Sequence, residues 1–234
     1  MEFEGTTDAP TPVNLTNHTY WNLSGNMSAS ILDHVLRLNC PSVLPVDDTK
    51  IPTGEQRSVD GSAMDFTAAT RVGSRINDVD GGGQPGYDHC YVVGPEKVAA
   101  ADCEGDVEDA LKFIADVYCP ERRRRMEVFT THPGVQLYTA NFLPIPDAAA
   151  GEGKEGQEKP GPHSQHMALC LEAQGFPDAI KQDAIDDGCS FPRRQVSTRH
   201  RPPLHRRTKD VCDDAWLRVK CVSDIGHGAS MFYS

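Results

Sequence analysis

At 234 residues the chain can form one all-β domain or two small ones, and 38% hydrophobic content is enough for a packed core. A formal net charge of -11 argues against nucleic acid as a partner, and no apolar run approaches the roughly 18 residues needed to cross a bilayer, so no membrane partner is expected. Eight cysteines without a CxxC pair indicate scattered thiols rather than a disulfide scaffold, and the first residues lack the basic and apolar regions of a secretory signal, so a cytoplasmic location is expected.

Residues 3–23 read as one or two strands around the turn chemistry of Thr7-Asp8-Ala9-Pro10-Thr11-Pro12. Within them Val13, Leu15, Thr19, Tyr20 and Trp21 favour a half-buried pleat, while Asn17-His18 interrupts it with polar groups. That placement suits a histidine facing a cleft. Residues 31–76 alternate short apolar runs (Ile31-Leu32, Val35-Leu36, Val43-Leu44) with Pro, Gly and Asp punctuation, the rhythm of a β sandwich rather than of βαβ units. Gly81-Gly82-Gly83 has no Lys-Ser/Thr ending and no helical pattern after it, so it is read as a loop leading into Tyr87-Asp88 and not as a phosphate cradle.

Further along, Lys97-Val98-Ala99-Ala100-Ala101 followed by Glu108-Asp109-Ala110-Leu111-Lys112-Phe113-Ile114 predicts a short surface helix on propensity. Arg122-Arg123-Arg124-Arg125 is read as a solvated turn ahead of a strand. Residues 144–163 are too rich in Pro, Gly and polar groups for a strand and are read as a loop bordering the site. Composition then breaks: residues 1–192 hold 14 Lys or Arg against 30 Asp or Glu, whereas residues 193–209 hold seven basic residues and no acidic one. Such a break reads as an altered reading frame or alternative splice rather than a second domain.

Several ordered blocks carry a family resemblance. They are Thr11-Pro12-Val13-Asn14-Leu15-Thr16-Asn17-His18-Thr19-Tyr20-Trp21-Asn22-Leu23, then Leu44-Pro45-Val46-Asp47-Asp48-Thr49-Lys50-Ile51-Pro52-Thr53-Gly54-Glu55, Asp65-Phe66 and Gly86-Tyr87-Asp88-His89. Two more follow: the run from Glu127 through Gln136 to Phe142, and Leu171-Glu172-Ala173-Gln174-Gly175-Phe176-Pro177. In these blocks the chain resembles the aldose 1-epimerases, or galactose mutarotases. The resemblance implies an all-β, galactose-mutarotase-like supersandwich, incomplete at its N-terminus and at its C-terminus. Residues 1–192 would be a partial aldose 1-epimerase domain, and residues 193–234 an atypical basic tail without an independent fold. The family's preceding portion carries an arginine and another histidine of the sugar site that have no counterpart here.

The activity implied is interconversion of the α and β anomers of a hexose such as galactose or glucose. Opening and reclosing a pyranose requires one proton delivered to the ring oxygen and one removed from the anomeric hydroxyl, work for a paired acid and base without a cofactor or metal. By similarity His18 is the acid and Glu172 the base, with roles reversed on ring closure. Asp88 and Gln136 match positions that hold sugar hydroxyls, Asp88 as acceptor and Gln136 as both donor and acceptor. Tyr20 and Trp21 offer an apolar wall for the sugar's C–H face. His89 is read as structural, and His163 and His166 remain open. No metal ligand is assigned: His200, His205, Cys212, Cys221 and His227 fit no compact finger. The alternative reading is a truncated chain that binds a monosaccharide without turning it over.

Overall fold

The computed structural model describes residues 14–25, 29–94, 111–143, 164–181 and 217–223. In strand β1 (Val35–Leu38) the period-2 pattern buries Leu36 and Leu38 and exposes Arg37. Short strands β2 (Ser42–Val43), β3 (Arg57–Ser58) and β4 (Thr70–Arg71) follow, then β5 (Asp88–Val92), β6 (Lys112–Cys119), β7 (Arg124–Thr130), β8 (Gly134–Tyr138), β9 (Cys170–Gln174) and β10 (Leu217–Ser223). They form two five-stranded antiparallel sheets, ordered β10-β7-β6-β1-β4 and β3-β2-β5-β8-β9. No α-helix occurs among the described residues, and none there is long and apolar enough to cross a membrane.

The chain passes repeatedly from one sheet to the other, so the apolar faces of both close on a shared core. The first sheet contributes Leu36, Leu38, Ala115, Val117, Met126 and Val128. From the second come Val43, Tyr91, Val135, Leu137, Leu171 and Ala173. Phe66 packs edge-on against Tyr87 with ring centroids 5.0 Å apart. The hydroxyls of Tyr87 and Tyr91 reach out of the apolar layer to donate to the carbonyls of Ala63 at 3.1 Å and Met64 at 3.0 Å. Both large rings are thereby buried without an orphaned polar tip.

Two elements differ from the sequence reading. Residues 14–23 are not a regular strand, and pairing there is limited to a single bridge between Trp21 and Leu169. Asn17 Oδ1 accepts from the backbone and hydroxyl of Thr19, and Asn22 Oδ1 from those of Ser24, so side chains take donors that a ladder would need. Residues 112–114, assigned to a helix on propensity, lie in β6, where Ala115, Val117 and Cys119 alternate into the core. Tertiary packing outweighs helix propensity at these positions. Residues 97–110 of that expected helix, like the loop at 144–163, lie outside the described residues. Residues 217–223, within the segment read as a basic tail, pair along the whole of β7 as β10. The turn expected around the four arginines joins β6 to β7, with Arg124 and Arg125 already inside β7. Arg125 sits 3.1 Å from Asp116, and Arg124 donates to the Leu23 carbonyl at 3.1 Å.

His34 predicts a specific acid sensitivity. It is buried, and its Nε2 accepts the Leu23 N–H at 3.1 Å, which fixes the neutral ring with its proton on Nδ1. Burial pushes its pKa down from 6.5 to about 4, against a smaller upward pull from Asp33. The folded state therefore prefers the uncharged ring. Its contribution is fully present above pH 6.5 and is lost as pH falls through about 4. That shift corresponds to about 3 kcal/mol. Thermal unfolding followed from pH 7 to pH 4 should show a fall that His34→Gln, which can still accept the Leu23 N–H, reduces. An unchanged pH dependence in the variant would contradict the assignment.

Candidate functional site

Strands β5, β8 and β9 lie side by side, and their register decides which side chains meet. Gln136 is opposite both Cys90 and Glu172, while Tyr138 is opposite both Asp88 and Cys170. Because directly paired residues share a face, Asp88, Gln136, Tyr138, Cys170 and Glu172 lie together on one side of the sheet. Leu137, Leu171 and Tyr91 occupy the other side, in the core. One strand repeat thus separates an apolar face from a chemical one.

His18 reaches this face from the irregular segment. Asn14 and Gly175 exchange two bonds, Asn14 Nδ2 to the Gly175 carbonyl at 3.0 Å and Gly175 N to Asn14 Oδ1 at 2.8 Å. At the other end Trp21 and Leu169 exchange backbone bonds of 2.8 and 3.0 Å. Pinned at both ends, the segment runs antiparallel along β9, so His18 falls beside Glu172. Their Nε2 and Oε1 atoms are 3.4 Å apart. The His18 side chain is 49% exposed and that of Glu172 only 11%.

Burial pushes the Glu172 carboxyl above its usual pKa; His18 opposes that rise and Asp88 adds to it. Gln136 Nε2 donates to Asp88 Oδ1 at 2.7 Å, which holds both groups in fixed orientations. Tyr20 stacks on His18 with centroids 5.1 Å apart, and Tyr138 meets both rings edge-on at 6.1 and 6.3 Å. Burial chiefly raises the Tyr20 hydroxyl to about 12, so it stays protonated across the neutral range. A carboxylate biased toward holding a proton, touching an imidazole, can pass a proton to and from a bound hydroxylic molecule. The aromatic rings and the Asp88–Gln136 pair beside them suit a ligand with both C–H faces and hydroxyls.

All five sequence-derived site residues, His18, Tyr20, Asp88, Gln136 and Glu172, converge here. Trp21 does not line the site as an open wall; it belongs to the core beneath. His89 accepts the Asp88 N–H on its Nδ1 at 3.1 Å, and burial lowers its pKa. The ring of His166 bonds the Thr139 carbonyl at 2.9 Å through Nδ1, and the His166 carbonyl accepts the Ile31 N–H at 2.9 Å. This histidine ties loops together rather than facing Glu172. His163 lies outside the described residues. Sequence reasoning missed Tyr138 and Cys170. Both stand two residues from a named site residue, and strand alternation alone places them on the same face.

The aldose 1-epimerase family model matches residues 1–198. Human galactose mutarotase is 40% identical over 172 residues, a stretch that covers 74% of this chain and 44% of that protein. The aldose 1-epimerase of Escherichia coli K12 is 33% identical over 180 residues, covering 76% of this chain and 46% of its own. Among solved structures, galactose 1-epimerase from Lactobacillus acidophilus superposes with a TM-score of 0.53 at 25% identity, over 73% of this chain and 42% of that one. The two-sheet fold is therefore galactose-mutarotase-like, and the chain spans about half the length of the curated relatives it matches. With family blocks, fold and the register of β5, β8 and β9 in agreement, the chain belongs to the aldose 1-epimerase family.

Proposed function

We propose that this site catalyses the interconversion of α and β anomers of an aldohexose such as galactose or glucose, with His18 as acid and Glu172 as base. The observation that carries the reading is the 3.4 Å approach of His18 Nε2 to Glu172 Oε1 beside the Asp88–Gln136 pair. Glu172 takes the proton of the anomeric hydroxyl as the bond from C1 to the ring oxygen breaks, and His18 protonates that oxygen. The open aldehyde turns about its C1–C2 bond. Closure then runs the same transfers backwards, delivering a proton to the new anomeric oxygen and returning one to His18.

Asp88 and Gln136 hold sugar hydroxyls in this reading, and Tyr20 faces a C–H surface of the ring. Asp88→Asn keeps an acceptor but loses the charge that strengthens it, so it should raise KM about tenfold, the worth of one charge-assisted hydrogen bond, with a smaller effect on kcat. Steady-state kinetics over sugar concentration check this; a purely kcat effect would contradict it. We also place the protein in the cytoplasm, where the free thiols of Cys40, Cys90, Cys119 and Cys170 suit a reducing medium.

A second reading, sugar binding without turnover, is favoured by one observation: the match to the human relative covers only 44% of that protein. Polarimetry of freshly dissolved α-galactose separates the two. Acceleration over buffer by the 234-residue chain supports catalysis. Acceleration only by a chain extended upstream assigns the chemistry to the longer protein, and a galactose-induced change in the intrinsic fluorescence of the 234-residue chain then reads binding by this one.

A further inference from the structure

Cys170 and Glu172 are alternate residues of β9, and His18 is laid across them by the pinned segment. The ligand atoms of these three residues, an imidazole nitrogen, a thiol sulfur and a carboxylate oxygen, all lie within 4.8 Å of one another. We infer that His18, Cys170 and Glu172 form a binding site for a thiophilic divalent cation of the zinc and cadmium class, which blocks the acid–base pair when occupied.

The donor set is the argument. Imidazole, thiolate and carboxylate together suit zinc-like ions, and three protein ligands leave the fourth tetrahedral position to a solvent or sugar oxygen. Tetrahedral bonds to zinc of about 2.0–2.1 Å place a nitrogen and an oxygen ligand about 3.4 Å apart. His18 Nε2 and Glu172 Oε1 already stand 3.4 Å apart. Only the sulfur has to close in, and the half-exposed His18 gives the triad room to adjust. Two of the ligands are held by β9, Glu172 at the centre of its pairing with β8 and Cys170 at the end of it, opposite Tyr138. Binding exchanges the thiol proton, and any proton held by the Glu172 carboxyl or by the ligating ring nitrogen of His18, for the metal: each leaves to solvent, and no electron transfer occurs.

Blocking rests on the epimerase reading, because it assumes that His18 and Glu172 move protons; binding does not. The test is a titration of the full chain with cadmium chloride, read by the ultraviolet thiolate-to-cadmium charge-transfer band. Cys103, Cys189, Cys212 and Cys221 are replaced by Ser in every sample. A band that saturates at one equivalent is expected. Cys170→Ser should abolish it, and His18→Gln and Glu172→Gln should each weaken binding by at least about tenfold, no less than loss of an outer-shell partner costs. No band, a band that survives Cys170→Ser, or unchanged affinity in both His18→Gln and Glu172→Gln would overturn the site. His18→Gln alters a half-exposed side chain, so it remains informative if Cys170→Ser folds poorly. Zinc should abolish polarimetric activity, and a chelator should restore it. Cadmium binding without any mutarotation would sink the proposed activity and leave the metal site standing. Mutarotation with no cadmium band would do the reverse.

Discussion

Glu172→Gln and His18→Gln are each expected to slow anomer interconversion by roughly 10²–10⁴-fold, the usual worth of general acid or base catalysis. The double variant should be little slower than either single one, because one proton cannot be moved without the other. Activity should follow a bell in pH. Burial raises the Glu172 carboxyl, so the acidic limb should lie above the ordinary glutamate range. Stability provides the control. A carboxyl with a raised folded pKa stabilises the fold below its unfolded value, and that contribution is lost as pH rises through the folded value. Glu172→Gln should therefore unfold no earlier than the wild type at pH 8 while losing nearly all activity. A matched fall in both would mean that Glu172 serves the fold instead.

Gly86→Ala should have the largest effect on stability. Gly86 has φ +132°, outside the conformations open to residues with a side chain, and an added Cβ would collide with Asn141 and Thr139. Those two residues cannot readily move. Thr139 Oγ1 accepts the Tyr87 N–H at 2.9 Å and bonds Asn141 Oδ1 at 2.6 Å, while Asn141 Nδ2 donates to the Tyr87 carbonyl at 2.9 Å, all of it buried. Backbone strain of about 1–3 kcal/mol and disruption of this network should together cost roughly 3 kcal/mol or more. Urea unfolding would show it as a lower midpoint with an unchanged slope. Because Tyr87 leads directly into Asp88, sugar affinity should fall as well. An unaltered midpoint would contradict this account of why glycine opens the Gly86-Tyr87-Asp88-His89 block.

The all-β sandwich was legible in the punctuation of residues 31–76, within which β1 to β4 all fall. Strand β8, and β9 from Leu171 onward, lie within quoted family blocks, and period-2 alternation from Gln136 and Glu172 carries the site face with it. Less of β6 could be read. A bulge between Phe113 and Ala115 places Ile114 and Ala115 in the core as neighbours, which breaks the alternation just where helix-favouring residues precede it. His18 stood out as polar within an apolar run, but its position depends on Asn14 bonding Gly175 across a sequence separation of 161, which no local pattern encodes. Cys170 was hidden for a different reason. A single thiol looks like core filling until the register of β9 places it two residues from Glu172 on the same face.

Exchange NMR on galactose tests the central claim most directly. Cross-peaks between the α and β anomeric protons measure interconversion at equilibrium without a coupled assay. In the form of the protein that accelerates mutarotation, these cross-peaks should build up far faster than in buffer and return to the buffer rate in Glu172→Gln, with the variant still folded. Cross-peaks that build up equally fast in Glu172→Gln would show that the pair at 3.4 Å is not the proton-transfer machinery.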